Sequence, residues 1–168
     1  IGKRALYKND MIVLDYIANN NWNRPVYFTI TTGSEAYINM QNYFQLDGLC
    51  YRLVPIYTPS DEEHGREIGH INTDKLYNTV MNKWKFGGMD KDGIYIDETT
   101  MRQTRNLRNV FCRLANALTE EGKSDKAVEV LDRCMQVMPV KNVPLDFGTM
   151  RIAQSYMIAG AKEKGNVL

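Results

Sequence analysis

Apolar positions along this chain fall into two regimes. Up to about residue 98 they come in short runs broken by turn formers, and after that they keep helical spacing almost to the end. Met11, Ile12, Leu14 and Ile17 share one helical face, with Tyr16 nearby and Asn9 or Asp10 placed to cap the start. Asn19-Asn20-Asn21 ends that helix, because amide side chains favour turns over helix interiors. Pro25 forces Arg24 into an extended conformation. Val26-Tyr27-Phe28-Thr29-Ile30 is β-branched or aromatic throughout and predicts a strand with Val26, Phe28 and Ile30 on one face. Ser34 to Phe44 predicts a short helix capped by Ser34, with Ala36, Met40 and Phe44 spaced by fours and Gly48 as its break. Leu49 to Val54 is a second strand, which Pro55 ends or places at a sheet edge. Thr58 to His70 reads as loop. Thr73 or Asp74 opens a helix carrying Leu76, Tyr77, Val80 and Trp84, and Ile94-Tyr95-Ile96 is a short third strand.

From Thr99 onward the pattern is helical. Leu107, Val110, Phe111, Leu114 and Leu118 form a 3-4-3-4 stripe that Gly122 terminates. Ser124 and Asp125 open the next helix, striped by Ala127, Val130, Leu131, Cys134 and Met138 and followed by Pro139. A shift of 38 residues lays this pattern on the rest of the chain: Arg113 falls on Arg151, Leu114 on Ile152, Ala115 on Ala153, Leu118 on Tyr156 and Gly122 on Gly160. The echo departs where Ala127 meets Gly165 and where Phe111 meets Thr149. The hairpin resembles a tetratricopeptide (TPR) repeat in Leu114, Ala115, Leu118, Gly122, Ala127, Leu131, Cys134 and Pro139. The expected fold is therefore α+β: a small three-stranded sheet with covering helices, followed by TPR-like α-hairpin repeats. The expected division is an α/β subdomain at 1–98 and a repeat subdomain at 99–168 whose second repeat is truncated. Gly165 is read as a helix breaker, with Tyr156, Met157 and Ile158 partly uncovered and the last turns fraying or covered by a neighbour.

Composition narrows the function. The 168 residues carry 21 basic and 20 acidic side chains, for a net charge of +1, and no long run has one sign. A broad nucleic-acid footprint is not expected. No apolar stretch approaches the roughly 20 residues of a membrane span. The chain opens Ile-Gly-Lys with no initiator Met, which reads as a piece of something longer. Cys50, Cys112 and Cys134 are an odd count, and the last two sit in apolar helical patterns as buried thiols.

Candidate chemistry is sparse. His64 and His70 flank Asp61, Glu62, Glu63 and Glu67, but the spacing matches no ligand motif and no metal or other cofactor is expected. Asp90-Lys91-Asp92-Gly93 resembles part of a calcium loop, yet the first ligand position falls on Gly88, so a turn is expected. There is no phosphate loop, no nucleophile elbow and no Cys-x-x-Cys, and no catalytic residue is assigned. Asn109, Cys112, Asn116 and Thr119 share a face of the first repeat helix, and Gln154, Met157 and Ile158 share one on the next. Together they are the candidate partner groove, where amides can hold a peptide backbone or its terminal carboxylate. Trp22, Tyr27, Tyr37, Tyr43, Tyr51 and Tyr57 make the first half aromatic, as core edges or as a sugar-stacking or partner surface, with the core weighted more heavily.

Three strings carry a family resemblance: Leu14-Asp15-Tyr16-Ile17-Ala18-Asn19-Asn20-Asn21-Trp22 with Arg24-Pro25-Val26-Tyr27-Phe28; Gly48-Leu49-Cys50-Tyr51-Arg52-Leu53-Val54-Pro55; and Tyr77-Asn78 with Met81-Asn82-Lys83-Trp84-Lys85-Phe86-Gly87-Gly88-Met89. With the hairpin they resemble the soluble C-terminal region of large bacterial membrane proteins that carry a domain of unknown function (DUF2723) and look like protein O-mannosyltransferases. The resemblance implies a parent membrane glycosyltransferase whose catalytic carboxylates lie outside this segment, so this fragment itself is not expected to be an enzyme. It implies an extracytoplasmic accessory module on the periplasmic side of the inner membrane. The implied partners are the parent's own membrane domain or an acceptor protein. The alternatives are a free-standing TPR peptide-binding adaptor unrelated to glycosylation and, more weakly, a carbohydrate-binding or hydrolytic domain built on the aromatic first half.

Overall fold

The computed structural model describes residues 5–59 and 67–168. The chain forms two compact units, Ile1–Asn72 and Thr73–Leu168. Residues 73–98, placed with the first part by the sequence pattern, pack with the helices of the second unit instead.

In the first unit, α1 (Lys8–Asn20) starts where the Asp10 carboxylate accepts a hydrogen bond from the Tyr7 amide at 3.0 Å. Four strands follow: β1 (Tyr27–Thr29), β2 (Phe44–Asp47), β3 (Cys50–Leu53) and β4 (His70–Ile71). They lie in the order β1-β3-β2-β4, antiparallel except for the parallel β2–β4 pair. The register sets Phe28, Tyr51, Leu46 and Ile71 in one row across the sheet. Phe28 and Tyr51 of that row join Tyr37, Phe44 and Leu53 in the core, onto which Val13 and Ile17 of α1 pack. Aromatic geometry organises this core. The Tyr51 ring stacks on Phe44 at 5.6 Å, and Tyr37 meets Phe28, Phe44 and Tyr51 edge-on. Burial pushes the Tyr37 hydroxyl above its usual ionisation range, and it donates to the Thr32 carbonyl at 2.7 Å.

Two expectations fail here. Ser34 to Phe44 is not a helix but two short 3₁₀ turns, Ser34–Tyr37 and Gln41–Tyr43, and Phe44 already belongs to β2. Gly48 does not end a helix. With φ +69 it takes the first central position of the two-residue β2–β3 hairpin, where Asp47 pairs with Cys50.

In the second unit, α2 (Thr73–Asn78) runs into one π-helical turn, Thr79–Lys83, closed by a Trp84 amide bond to the Thr79 carbonyl at 3.0 Å. Trp84 and Phe86 each lie 6.0 Å from the Phe111 ring. Ile94–Ile96 forms no strand. The segment instead leads to Asp97, whose carboxylate caps α3 (Glu98–Glu120) by accepting from the Thr99 and Thr100 amides. The expected turn at Asp90–Gly93 is present, and Asn142 holds it by donating to the Met89 and Lys91 carbonyls.

Helix α3 pairs with α4 (Ser124–Val137), and α5 (Phe147–Ile158) pairs with α6 (Lys162–Val167). Leu114, Ala115, Leu118, Ala127 and Leu131 are all buried, as the facing stripes predict. The 38-residue echo extends to backbone detail. Gly122 at φ +75 lets Lys123 N–H reach the Leu118 carbonyl at 2.8 Å, and Gly160 at φ +89 lets Ala161 N–H reach the Tyr156 carbonyl at 2.9 Å. Gly165 is no breaker: it is buried within α6, where a β-carbon would lie 2.8 Å from the Ala153 carbonyl oxygen. Tyr156 is buried and only Met157 and Ile158 of that trio are exposed.

Candidate functional site

Helix α3 is buried around most of its girth, with Thr104, Arg108, Val110 to Ala115 and Leu118 all withdrawn from solvent. This overturns part of the expected groove. Cys112 is core, beside α4, and its thiol is not presented to a partner. Thr119 donates its hydroxyl to the Ala115 carbonyl of its own helix at 2.9 Å. Asn116 is half-buried, with its Oδ1 shielded and without a hydrogen bond. Gln154, Met157 and Ile158 are exposed on α5. Of the seven groove residues, Asn109 alone lines the concavity described next.

That concavity is a cleft of about 300 Å³ lined by Arg105 and Asn109 from α3 and by Phe147, Gly148 and Arg151 from α5. The spacing of four within each helix brings the side chains to one side. Arg151 donates to Asn109 Oδ1 at 2.6 Å, and Arg105 Nε donates to Asp146 Oδ2 at 3.1 Å. Asp146 also caps α5, accepting from the Thr149 amide. Phe147, 79% exposed, stands at the mouth in the first turn of α5.

Behind the cleft lies Arg108, 1% exposed. Its guanidinium donates to the Val143 carbonyl at 2.8 Å and the Pro144 carbonyl at 3.2 Å, and it meets Asp146 at 3.3 Å and the Thr149 hydroxyl at 3.4 Å. One buried side chain therefore fixes the linker and the start of α5 against α3. The departure at Thr149 gains a physical reason: its hydroxyl accepts from the Asp146 amide at 3.1 Å and completes a reciprocal cap. The cleft can accept an anionic group, because it offers two guanidinium groups and an amide at the N-terminal end of a twelve-residue helix. Asp146 sets the limit, since it neutralises part of that charge.

Arg105, Phe147 and Arg151 were not singled out as a site from the sequence. Arg105 and Arg151 lie 46 residues apart on different helices, and a single arginine on an amphipathic helix reads as part of a solvated face. A shallower depression of about 370 Å³, lined by Met135, Tyr156, Glu163, Lys164, Val167 and Leu168, carries Lys164 bonded to Asp132 at its edge. Cys50 is half-buried at the sheet and free, and burial pushes the Cys134 thiol far above its usual range. His70 is exposed in β4, whereas His64 and Asp61 to Glu63 lie outside the described residues. Among the described residues no group of three or more His, Cys, Asp or Glu side chains is placed to hold a metal ion. No helix among them is long and apolar enough to cross a membrane. The aromatic set splits: Tyr37 and Tyr51 belong to the core cluster, whereas Trp22, Tyr27, Tyr43 and Tyr57 are exposed.

No curated protein and no solved structure matches the chain. Residues 1–75 match the family model of TMEM260-associated domain 2, a domain described by its association with a membrane protein.

Proposed function

We propose that this chain is a non-catalytic accessory module of a glycosyltransferase-like membrane protein, displayed outside the cytoplasm, and that its helical unit holds a segment of an acceptor or partner protein. The match over residues 1–75 supports the membrane-protein association, and the sequence resemblance supports the glycosyltransferase link. The observation that carries the binding role is the α3–α5 cleft, where Arg105, Arg151 and Asn109 face an exposed Phe147. Guanidinium and amide groups beside an aromatic wall suit an extended peptide ending in a free carboxylate next to an apolar side chain. The buried Arg108 clamp fixes the two sides of the cleft and so lowers the ordering cost of binding.

The test is titration of the whole chain with short peptides that end in an apolar residue, each made with a free and with an amidated C-terminus. Saturable binding that weakens about tenfold or more on amidation or in Arg151→Ala, and that weakens with added salt, is the expected result. Equal binding of both peptide forms, or none, would remove the cleft from the reading.

A further inference from the structure

Two turns in the first unit place bulky residues in the left-handed backbone region, and their contrast locates a second surface. Ile38, at φ +53, is followed by Asn39 at φ +58, and the Met40 amide closes that turn on the Tyr37 carbonyl at 2.9 Å. Ile38 is only 3% exposed, so burial of its side chain offsets the backbone strain. Asn21 at φ +46 and Trp22 at φ +57 form the other turn, closed by the Asn23 amide on the Asn20 carbonyl at 2.9 Å. Trp22 is 50% exposed, so its indole recovers far less. An aromatic residue held at positive φ without full burial is a cost that the fold alone does not explain.

The turn is also braced. Asn20 spans it with both ends of its amide: Nδ2 donates to the Arg24 carbonyl at 2.6 Å, and Oδ1 accepts from the Arg24 amide at 3.2 Å. Pro25 follows and fixes the exit. Asn21, Asn23 and Arg24, next to Trp22 in the chain, are exposed. Their side chains make no hydrogen bond to the described residues. The turn therefore presents a half-exposed indole whose neighbouring residues carry two amides and a guanidinium.

We propose that the Asn20–Arg24 turn is a saccharide-binding site, with Trp22 as its stacking platform. A pyranose ring has one face rich in C–H groups and a rim of hydroxyls. The indole covers the first, and Asn21, Asn23 and Arg24 can donate to and accept from the second. The residues flanking Trp22 carry amide and guanidinium groups that bond to hydroxyls, which suits a polyol ring. The site lies in the first unit and does not depend on the helical cleft.

The experiment follows the two indole N–H signals, one for each tryptophan in the chain, in ¹⁵N-labelled protein titrated with methyl glycosides of glucose, galactose, mannose and N-acetylglucosamine and with a linear trisaccharide. Loss of a signal in Trp22→Gly assigns it. The expected result is a saturable shift of the Trp22 signal with at least one sugar, at a dissociation constant of about 1 mM or weaker, while the Trp84 signal stays fixed. Glycine relieves the positive φ, so Trp22→Gly should melt no lower than the parent chain. A melting temperature several degrees lower would show that the indole serves the fold, and no saturable shift with any probe would overturn the site.

Discussion

The two helix pairs of the second unit are copies of one plan executed with different residues. In the first pair Ala127 is buried in α4, in the seam with α3, and Phe111 anchors the outer side against Trp84 and Phe86. In the second pair Gly165 takes the place of Ala127, and Thr149 takes the place of Phe111. The turns coincide, α3 ending at Glu120 and α5 at Ile158 with the Gly122 and Gly160 closures after them, although α3 has 23 residues and α5 has 12. The first copy is thus held by apolar volume. The second is held by close backbone approach and polar clamps. An internal repeat conserves where the chain turns more strictly than what fills the space between turns.

The largest effect should come from removing that volume. Phe111→Ala should cost about 3–5 kcal/mol, measured by urea denaturation, because it opens a cavity under Trp84 and Phe86. A loss under about 1 kcal/mol would mean that the first pair does not depend on this anchor. The next effect reverses the comparison. Gly165→Ala should destabilise by about 1–3 kcal/mol, because its new methyl group meets the Ala153 carbonyl oxygen, whereas Ala127→Gly should cost only about 0.5–1 kcal/mol. Hydrogen exchange should localise the Gly165→Ala defect to α5 and α6. Equal and global loosening by both changes would erase the distinction.

The smallest effect is the share of the pH dependence that Tyr156 of the second pair contributes. Burial, and then the hydrogen bond to Asp132 at 2.9 Å, raise the ionisation of the Tyr156 hydroxyl above its ordinary value. A group whose folded value lies above its unfolded one stabilises fully below the unfolded value of about 10 and loses that contribution as pH rises further. Stability should therefore fall above pH of about 10, by at most about 1.4 kcal/mol per pH unit from this group. Tyr156→Phe should flatten that part of the curve, and an unchanged alkaline slope in this variant would contradict the assignment.

Elements with a long, repeated period were legible in the sequence. The stripe from Leu107 to Leu118, the seam at Ala115 and Ala127 and the two glycine closures all follow from spacing over many residues. Short elements were legible only in part: the strands expected at 26–30 and 49–54 are present, others are not. Ala36, Met40 and Phe44 match a helical spacing by coincidence over one short window, while Asp47-Gly48 between apolar runs was the stronger, hairpin signal. Ile94-Tyr95-Ile96 has strand propensity but no neighbouring strand, and propensity without a partner makes no sheet. The parallel strand His70–Ile71 has two residues, too few to show alternation. Asn109, singled out for the face it shares with Cys112, Asn116 and Thr119, is the groove residue that lines the α3–α5 cleft. Cys112 was misplaced, since a helix covered on most of its girth has little free face. Arg108 was missed because an arginine in a helix is normally solvated.

Arg108 also bears on how such a chain could have grown. Its counterpart 38 residues later is Asp146, the acid that it meets at 3.3 Å. Identical repeats stack in any number and in any order, because every joint is the same. Here the joint is keyed: one copy supplies the cation and the other the anion. A second copy that also carried arginine at this position would set like charges at that contact, one partner of which is buried. This single pair makes the two copies complementary at their joint rather than identical there.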